Sequence, residues 1–224
     1  MIEIATFLNS LPQFNNLVEE ITVVGATKTV DIQRISKATE QGLLQLGENK
    51  VQEFMQKYDD YPSNAILHFI GHLQTNKVKY IVGKASLIHS IDSEKLLFAV
   101  NDRAKSLNLV QSVLLEVNIA NDENKHGFNK QDLFKAISSA QNCDNLNIKG
   151  LMTVLPKCEN KDNLCELCLQ MRSLYDIIKE SQPNFCTLSM GMSGDYQTAI
   201  QNGSNLIRIG SLLFGERKYN ENGD

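Results

Sequence analysis

The 224-residue chain lacks the features of several protein classes. It has no block of basic residues, and a formal net charge of −4 gives no footprint for nucleic-acid phosphates. No apolar run approaches the length that crosses a bilayer. The first residues, Met1-Ile2-Glu3-Ile4, carry none of the positive charge that opens a secretory signal. We therefore expect a cytoplasmic protein without nucleic-acid or membrane partners.

Cysteine is scarce, and the odd count of five without a secretory signal predicts reduced thiols. Cys165 and Cys168 form a C-x-x-C pair inside a helical pattern, with no second pair or nearby histidine. A zinc or redox site is one interpretation of this pair. Because Cys168 falls on the apolar stripe of that helix, core packing is the favoured interpretation, and we predict no metal site. The other cysteines are Cys143, Cys158 and Cys186.

What is present is an ordinary globular composition, with 42% hydrophobic and 21% charged residues. The length suits a single α/β barrel as well as two small domains. Eight strand-like segments follow one another, at 21–27, 43–47, 66–71, 86–91, 110–119, 148–154, 185–190 and 206–210. Helical patterns alternate with them, at 2–19 (interrupted by Pro12), 32–42, 51–58, 74–82, 93–107, 129–137, 161–179 and 194–202.

Eight such alternations predict a closed (β/α)₈ barrel that spans residues 1–224 as a single domain. A doubly wound open sheet is the alternative, but it would normally need fewer strands at this length. No glycine-rich phosphate fingerprint follows the first strand, so a Rossmann dinucleotide site lacks support.

Active sites of barrels lie where the strands end, and the unusual residues of this chain fall there. Lys28 ends the first strand, where its amine could act as a nucleophile toward aldehydes or could simply reach solvent. Ser193, Gly194, Gly210 and Ser211 follow the last two strands, where barrels commonly bind phosphate. Helix capping and turn formation would explain either loop alone. Both loops together, opposite a strand-end lysine, favour a pocket for an aldehyde and a phosphate.

That combination indicates pyridoxal 5′-phosphate (PLP), whose pyridine nitrogen also needs a partner. Arg208 lies on the eighth strand, two residues before Gly210, and shares its inward face. A buried arginine needs a partner. The alternative role for Arg208 is an ion pair with a barrel carboxylate such as Glu116. The polar loop 120–127 is expected to be mobile.

Seven segments carry a resemblance that covers the chain from end to end. With them, the chain resembles the pyridoxal phosphate homeostasis proteins, also called the YggS or PROSC family. The segments are GATKT at 25–29, GENKVQE at 47–53, HFIGHLQTNK at 68–77, KHG at 125–127, GLMT at 150–153, LSMGMS at 188–193 and RIGSLLFGER at 208–217.

This resemblance implies the fold of the N-terminal barrel of alanine racemase, with PLP held as a Schiff base on Lys28. It places Arg208 at the pyridine nitrogen. Asn49 would line the pocket, although N-capping of the following helix is an equally plausible role. The residues around the phosphate would be Ser193, Gly194, Gly210 and Ser211.

The family implies a carrier, not an enzyme, that buffers PLP and delivers it to apo forms of PLP-dependent enzymes. We expect this carrier to be a monomer. A racemase-like enzyme acting on amino acids is the alternative. We expect no racemisation, because alanine racemases take their second acid–base group from a β-domain and this chain ends at Asp224. A barrel that binds another phosphorylated metabolite without covalent attachment is a third possibility.

Overall fold

The computed structural model describes residues 3–157, 160–182 and 184–215. Several residues named above lie outside these ranges, namely Met1, Ile2, Cys158, Glu216, Arg217 and Asp224.

Eight parallel strands close into a barrel, in which each strand pairs with the next and β8 pairs with β1. The strands are β1 Thr22–Ala26, β2 Gln45–Glu48, β3 Ile66–Phe69, β4 Leu87–Ile91, β5 Gln111–Glu116, β6 Leu146–Met152, β7 Thr187–Met192 and β8 Leu206–Ile209. The predicted (β/α)₈ barrel is confirmed, and the open-sheet alternative is wrong.

Helices connect the strands. They are α1 Ile4–Ser10, α2 Ile32–Glu40, α3 Val51–Lys57, α4 Val78–Ile81, α5 Glu94–Ser106, α6 Lys130–Ala140, α7 Lys161–Lys179, α8 Tyr196–Gln201 and α9 Ser211–Phe214, with short 3₁₀ turns at Tyr58–Asp60 and Thr75–Lys77. Helix α7 has the predicted bounds. Asn129 caps α6 by accepting a hydrogen bond from the N–H of Asp132.

The predicted helix over 2–19 is wrong beyond Ser10. Leu11 is extended, as residues before proline usually are, and Pro12 cannot continue the helix. The side-chain oxygen of Asn15 then accepts hydrogen bonds from the N–H groups of Leu17 and Glu19, at 2.9 and 3.0 Å. This Asn15 turn takes the place of a second helical segment.

Strand β2 begins two residues later than the apolar run 43–47 predicts, because the backbone N–H of Leu43 bonds to the end of α2. Gly42, at φ +95°, donates to the carbonyl of Thr39, and Leu43 donates to the carbonyl of Ala38. These two bonds form a Schellman motif that closes the helix. Leu43 is therefore a buried anchor between helix and barrel rather than a strand residue.

The barrel interior changes from apolar to polar toward the C-terminal ends of the strands. The lower layer is a buried apolar cluster of Val24, Leu87, Leu114, Met152 and Leu206. Two positions further along β4, β5 and β8, on the same face, stand the buried polar residues His89, Glu116 and Arg208. The polar layer therefore faces the mouth of the barrel, where sites of this fold lie.

Cys168 is fully buried in the apolar core on α7, which confirms its predicted packing role. Its neighbour Cys165 places its sulfur 3.3 Å from the Oδ1 of Asn202. Among the described helices, none combines the length and the apolar character that a membrane span requires.

Candidate functional site

Lys28 lies two residues beyond β1 at the mouth of the barrel and is half-buried. Within the described ranges, its amine makes no hydrogen bond or ion pair. Both neighbours are fixed, since Thr27 is fully buried and Thr29 adopts a left-handed conformation with φ +63°. A β-branched residue rarely takes that conformation, so surrounding contacts must stabilise it. The backbone thus presents a rigid base for an unpartnered amine.

Those contacts come from a lysine and two glutamates, which we call the Lys57 clamp. The Lys57 amine donates to the carbonyl of Thr27 at 3.0 Å and pairs with Glu48 at 2.8 Å and Glu53 at 2.6 Å. The carboxylate of Glu53 also accepts the N–H of Thr29. The clamp therefore holds the residues immediately before and after Lys28.

Glu48, at the end of β2, is the buried centre of this clamp, with 1% of its side chain exposed. Its Oε1 accepts hydrogen bonds from the hydroxyls of Thr27 and Tyr61, at 2.8 and 2.9 Å. Burial and the nearby Glu48 charge raise the pKa of Tyr61 well above its usual range, so this phenol stays a donor. Glu48 thus joins β1 to the chain after α3.

The loops after β7 and β8 meet through one hydroxyl. The Oγ of Ser193 accepts hydrogen bonds from the N–H groups of Gly210 and Leu212, at 3.2 and 3.5 Å. Gly194 is exposed, and a Cβ there would meet open space. Ser211 is exposed at the first position of α9. The structure therefore gathers the four predicted phosphate residues on one side of the mouth, where the hydroxyls of Ser193 and Ser211 can donate to an anion.

Asn49 follows β2 and is half-buried. Lys50, not Asn49, occupies the N-cap of α3, so the capping role is wrong for Asn49. The backbone of Asn49 instead packs on the loop after β3, since a Cβ on Gly71 would lie 2.0 Å from the Asn49 carbonyl oxygen. Glycine at position 71 permits this close approach.

Arg208 is buried in the polar layer. Its guanidinium donates to the carbonyl and the hydroxyl of Ser189, at 3.0 and 2.6 Å, and to the carbonyl of Thr153 at 2.8 Å. No carboxylate of the described residues lies within ion-pair distance of Arg208, so the alternative of a Glu116 ion pair is wrong. Three of its five N–H groups are used, and the others remain for a ligand.

Glu116 and Arg208 still influence each other through the low-dielectric interior. Burial lowers the pKa of Arg208 to about 10, and the Glu116 charge opposes this change. Burial and the charge of Asp92 raise the pKa of Glu116 to about 7, and Arg208 opposes that change. Arg208 is consequently a cation at neutral pH, while Glu116 is close to half-protonated.

A chain of buried hydrogen bonds runs from Arg208 across the barrel. Beyond Ser189, its hydroxyl lies 3.2 Å from the Nδ1 of His89, whose Nε2 lies 2.8 Å from the Nδ1 of His68. The Nε2 of His68 lies 2.6 Å from the side-chain oxygen of Gln45. Five strands, β8, β7, β4, β3 and β2, thus contribute one member each.

Both histidines in this chain of hydrogen bonds, His68 and His89, are neutral. Burial lowers the pKa of His68 to about 4, and burial with the charge of Arg208 holds the pKa of His89 well below its usual range. Because Arg208 can only donate, Ser189 must donate onward to His89, and each imidazole then carries its proton on Nε2. In this arrangement each hydrogen bond has one donor and one acceptor, and every donor points away from Arg208. The chain of hydrogen bonds therefore fixes the guanidinium without adding charge.

Neither the histidine chain nor the Lys57 clamp was predicted from the sequence. The sequence did contain a signal for the histidine chain, since His68 and His89 each interrupt an otherwise apolar strand segment. The clamp joins a strand-end residue to two residues of the following helix, and no sequence period connects them.

A family model described as alanine racemase, N-terminal domain, matches residues 9–218. The pyridoxal phosphate homeostasis protein of Aquifex aeolicus (strain VF5) is 42% identical over 199 residues, which cover 88% of this chain and 87% of the relative. The chain belongs to the pyridoxal phosphate homeostasis family. The family member from Escherichia coli (strain K12) is 31% identical over 207 residues and covers 91% of this chain and 88% of its own length.

Solved structures agree with this assignment. PipY of Synechococcus elongatus PCC7942, solved with PLP bound, superposes with a TM-score of 0.84 at 27% identity and covers 95% of this chain and all of its own. Alanine racemase of Clostridium difficile 630 in complex with cycloserine has a TM-score of 0.77 at 14% identity. It covers 92% of this chain but 58% of its own, and it shows the shared barrel fold. The family and fold predicted from sequence are both confirmed.

Proposed function

We propose that this protein binds PLP, buffers its free concentration and delivers it to apo forms of PLP-dependent enzymes. Family membership supports the PLP homeostasis role. The observation from the structure that carries the proposal is the Lys28 amine, which stands unpartnered on a fixed backbone, with the hydroxyls of Ser193 and Ser211 on the loops after the last two strands.

The described residues fit this cofactor. When bound, PLP supplies an aldehyde that reacts with amines and an electron-poor pyridine ring. The Lys28 amine would attach the aldehyde carbon covalently with loss of water. Arg208 would direct a remaining N–H to the ring nitrogen, and Asn49 would line the pocket. The residues assigned to the phosphate are Ser193, Gly194, Gly210 and Ser211.

Arg208 suits a carrier, although alanine racemases also tolerate such an arginine. A guanidinium that stays charged at neutral pH donates hydrogen bonds but gives no proton to the ring nitrogen. An unprotonated ring withdraws electrons less strongly than one paired with a carboxylate, and carbanion chemistry is correspondingly harder. Holding and releasing the cofactor needs only the exchange of one amine for another at the aldehyde carbon.

The test measures binding and transfer separately. The PLP-free protein is titrated with PLP, and release is then followed with and without an apo-enzyme acceptor. We expect tight binding that Lys28→Ala weakens by about tenfold or more, and release that accelerates in the presence of the acceptor. The matched control is Lys37→Ala, which removes an exposed lysine from a helix. This variant should bind PLP as tightly as the parent does. Equal binding by Lys28→Ala and the parent would contradict the proposal.

The racemase alternative has its own test. The PLP-loaded protein is incubated with a panel of L-amino acids, and D-enantiomers are quantified by chiral chromatography. We expect no Lys28-dependent turnover in the usual enzyme range of about 1–10³ s⁻¹. Such turnover would contradict the carrier proposal and support the enzyme alternative.

We further propose that residues 1–224 form one domain that acts as a monomer in the cytoplasm. The free thiols of Cys143, Cys165 and Cys186 support a reducing compartment.

A further inference from the structure

A cluster of three potential metal ligands lies at the barrel mouth, on the side of β3, β4 and β5. The Nδ1 atoms of His72 and His126 lie 3.1 and 3.7 Å from the same oxygen, Oδ2 of Asp92. All three ligand atoms lie within 4.8 Å of one another. We propose that His72, Asp92 and His126 bind one divalent transition-metal ion. No metal site was predicted from the sequence, where the C-x-x-C of α7 was the motif considered and was assigned to core packing.

The spacing of the ligand atoms suits a single ion. Bonds of about 2.0–2.1 Å to a tetrahedral centre place neighbouring ligand atoms about 3.3 Å apart. The two observed nitrogen–oxygen distances lie on either side of that value. The imidazole rings stack with centroids 3.7 Å apart and planes 13° apart, and both Nδ1 atoms lie near the same carboxylate oxygen. Because an ion lies in the plane of each imidazole that binds it, one ring must tilt out of this stack for both to share an ion. We assign that movement to His126, whose side chain is 59% exposed.

Asp92 is already oriented for this role. The hydroxyl of Ser93, the N-cap residue of α5, donates to Oδ1 of Asp92 at 3.0 Å. Oδ2 is thereby left for the histidines, and the side chain is only 11% exposed. A hydrogen bond that orients a ligating carboxylate is a usual companion of metal sites.

The loop that carries His126 is fixed on both sides of it. The side-chain amide of Asn118 donates to the carbonyls of Asp122 and Lys125, at 2.7 and 3.3 Å. On the other side, Gly127 has φ +114°, and a Cβ there would lie 2.6 Å from the backbone nitrogen of Asn118. The predicted mobility of loop 120–127 stays a prediction, but these contacts define a backbone position for His126.

The ligand set selects the class of ion. Two imidazoles and one carboxylate suit zinc, cobalt, nickel or copper better than magnesium or calcium, which prefer oxygen ligands. His72 and His126 are 39% and 59% exposed, so solvent or a small molecule can reach the ion. Three protein ligands with an accessible fourth position are typical of reactive rather than structural zinc sites.

The test uses the full-length chain, stripped of metal, with Cys186, which is exposed among the described cysteines, replaced in Cys186→Ser so that its thiol cannot compete. Cobalt(II) is titrated by its visible absorption and zinc by calorimetry. We expect one equivalent of each to bind, and His72→Ala and His126→Ala each to weaken binding by about tenfold or more. Gln74→Ala, an exposed residue beside His72 in the same groove, should bind as the parent does.

X-ray absorption on the zinc-loaded parent provides a readout that does not depend on variants. We expect nitrogen or oxygen ligands at about 2.0–2.1 Å with the outer-shell scattering of two imidazoles. Sulfur at about 2.3 Å would instead assign the ion to cysteine and overturn the proposal. Unchanged affinity in His72→Ala/His126→Ala, or no binding by the parent at millimolar metal, would also overturn it. Neither result bears on PLP binding, which involves other residues.

Discussion

Replacing Lys57 by methionine tests whether the Lys57 clamp holds the segment around Lys28. The substitution keeps most of the apolar stem but removes the amine that contacts Thr27, Glu48 and Glu53. Glu48 then remains as a buried carboxylate whose Oε2 has no partner and whose Oε1 keeps two hydroxyl donors. Its charge is left without a compensating cation.

Breaking a buried ion pair by removing one partner costs about 3–5 kcal/mol. Because Glu48 keeps its hydroxyl donors and Lys57 is 13% exposed, we expect the lower end, about 3 kcal/mol. For a protein of this length, that loss lowers Tm by roughly 6–12 °C.

The chain offers a matched control in Lys135, which pairs with Asp132 at 2.9 Å with both side chains about half exposed. Lys135→Met should cost less than about 1 kcal/mol, as exposed pairs do. Calorimetry and urea unfolding of the PLP-free proteins give both values. In Lys57→Met/Glu48→Gln the stranded charge is gone, so we expect most of the loss to be recovered. Equal losses in Lys57→Met and Lys135→Met would refute the clamp.

Three further outcomes follow from the site. Ser193→Ala and Ser211→Ala should each weaken PLP affinity about tenfold or more while the Tm of the PLP-free protein changes little, since a hydrogen bond to a charged group contributes about 1.5–3 kcal/mol; unchanged affinity in both would exclude the phosphate assignment. Glu116 binds its proton more tightly when folded, so its contribution to stability is complete below pH 4.5 and is lost as the pH rises through about 7; the Tm advantage of Glu116→Gln over the parent should grow across that window, and a constant difference would contradict it. Gly71→Ala should destabilise by at least about 1–3 kcal/mol because its Cβ would meet a backbone oxygen, whereas Gly194→Ala, with open space, should not; equal Tm values would contradict this packing.

The barrel could be predicted from sequence because its strands are short apolar runs separated by helical periods and turn residues. The predicted boundaries of helices and strands were wrong where local polar contacts override the apolar pattern. The apolar run 43–47 predicts a strand that begins at Leu43, but the N–H of Leu43 closes α2. Residues 13–19 have helical composition, but the Asn15 side chain holds them in a turn.

The site was predictable to the extent that its residues stand at strand ends. Lys28, Ser193 and Gly210 are recognisable because of their positions after successive barrel strands. The partners of Arg208 could not be predicted. A sequence shows that a buried arginine needs acceptors, but it does not show which strands supply them. Those acceptors are carbonyl and hydroxyl groups of β7 and of the residue after β6.

The most direct test of the account is the site of covalent PLP attachment. The PLP-loaded protein is reduced with borohydride, digested and mapped by mass spectrometry. We predict a pyridoxyl group on Lys28 and on no other lysine, with loss of the yellow colour in Lys28→Ala. Label on a different lysine, together with a fully coloured Lys28→Ala protein, would contradict the assignment of Lys28 and with it the proposed mode of binding.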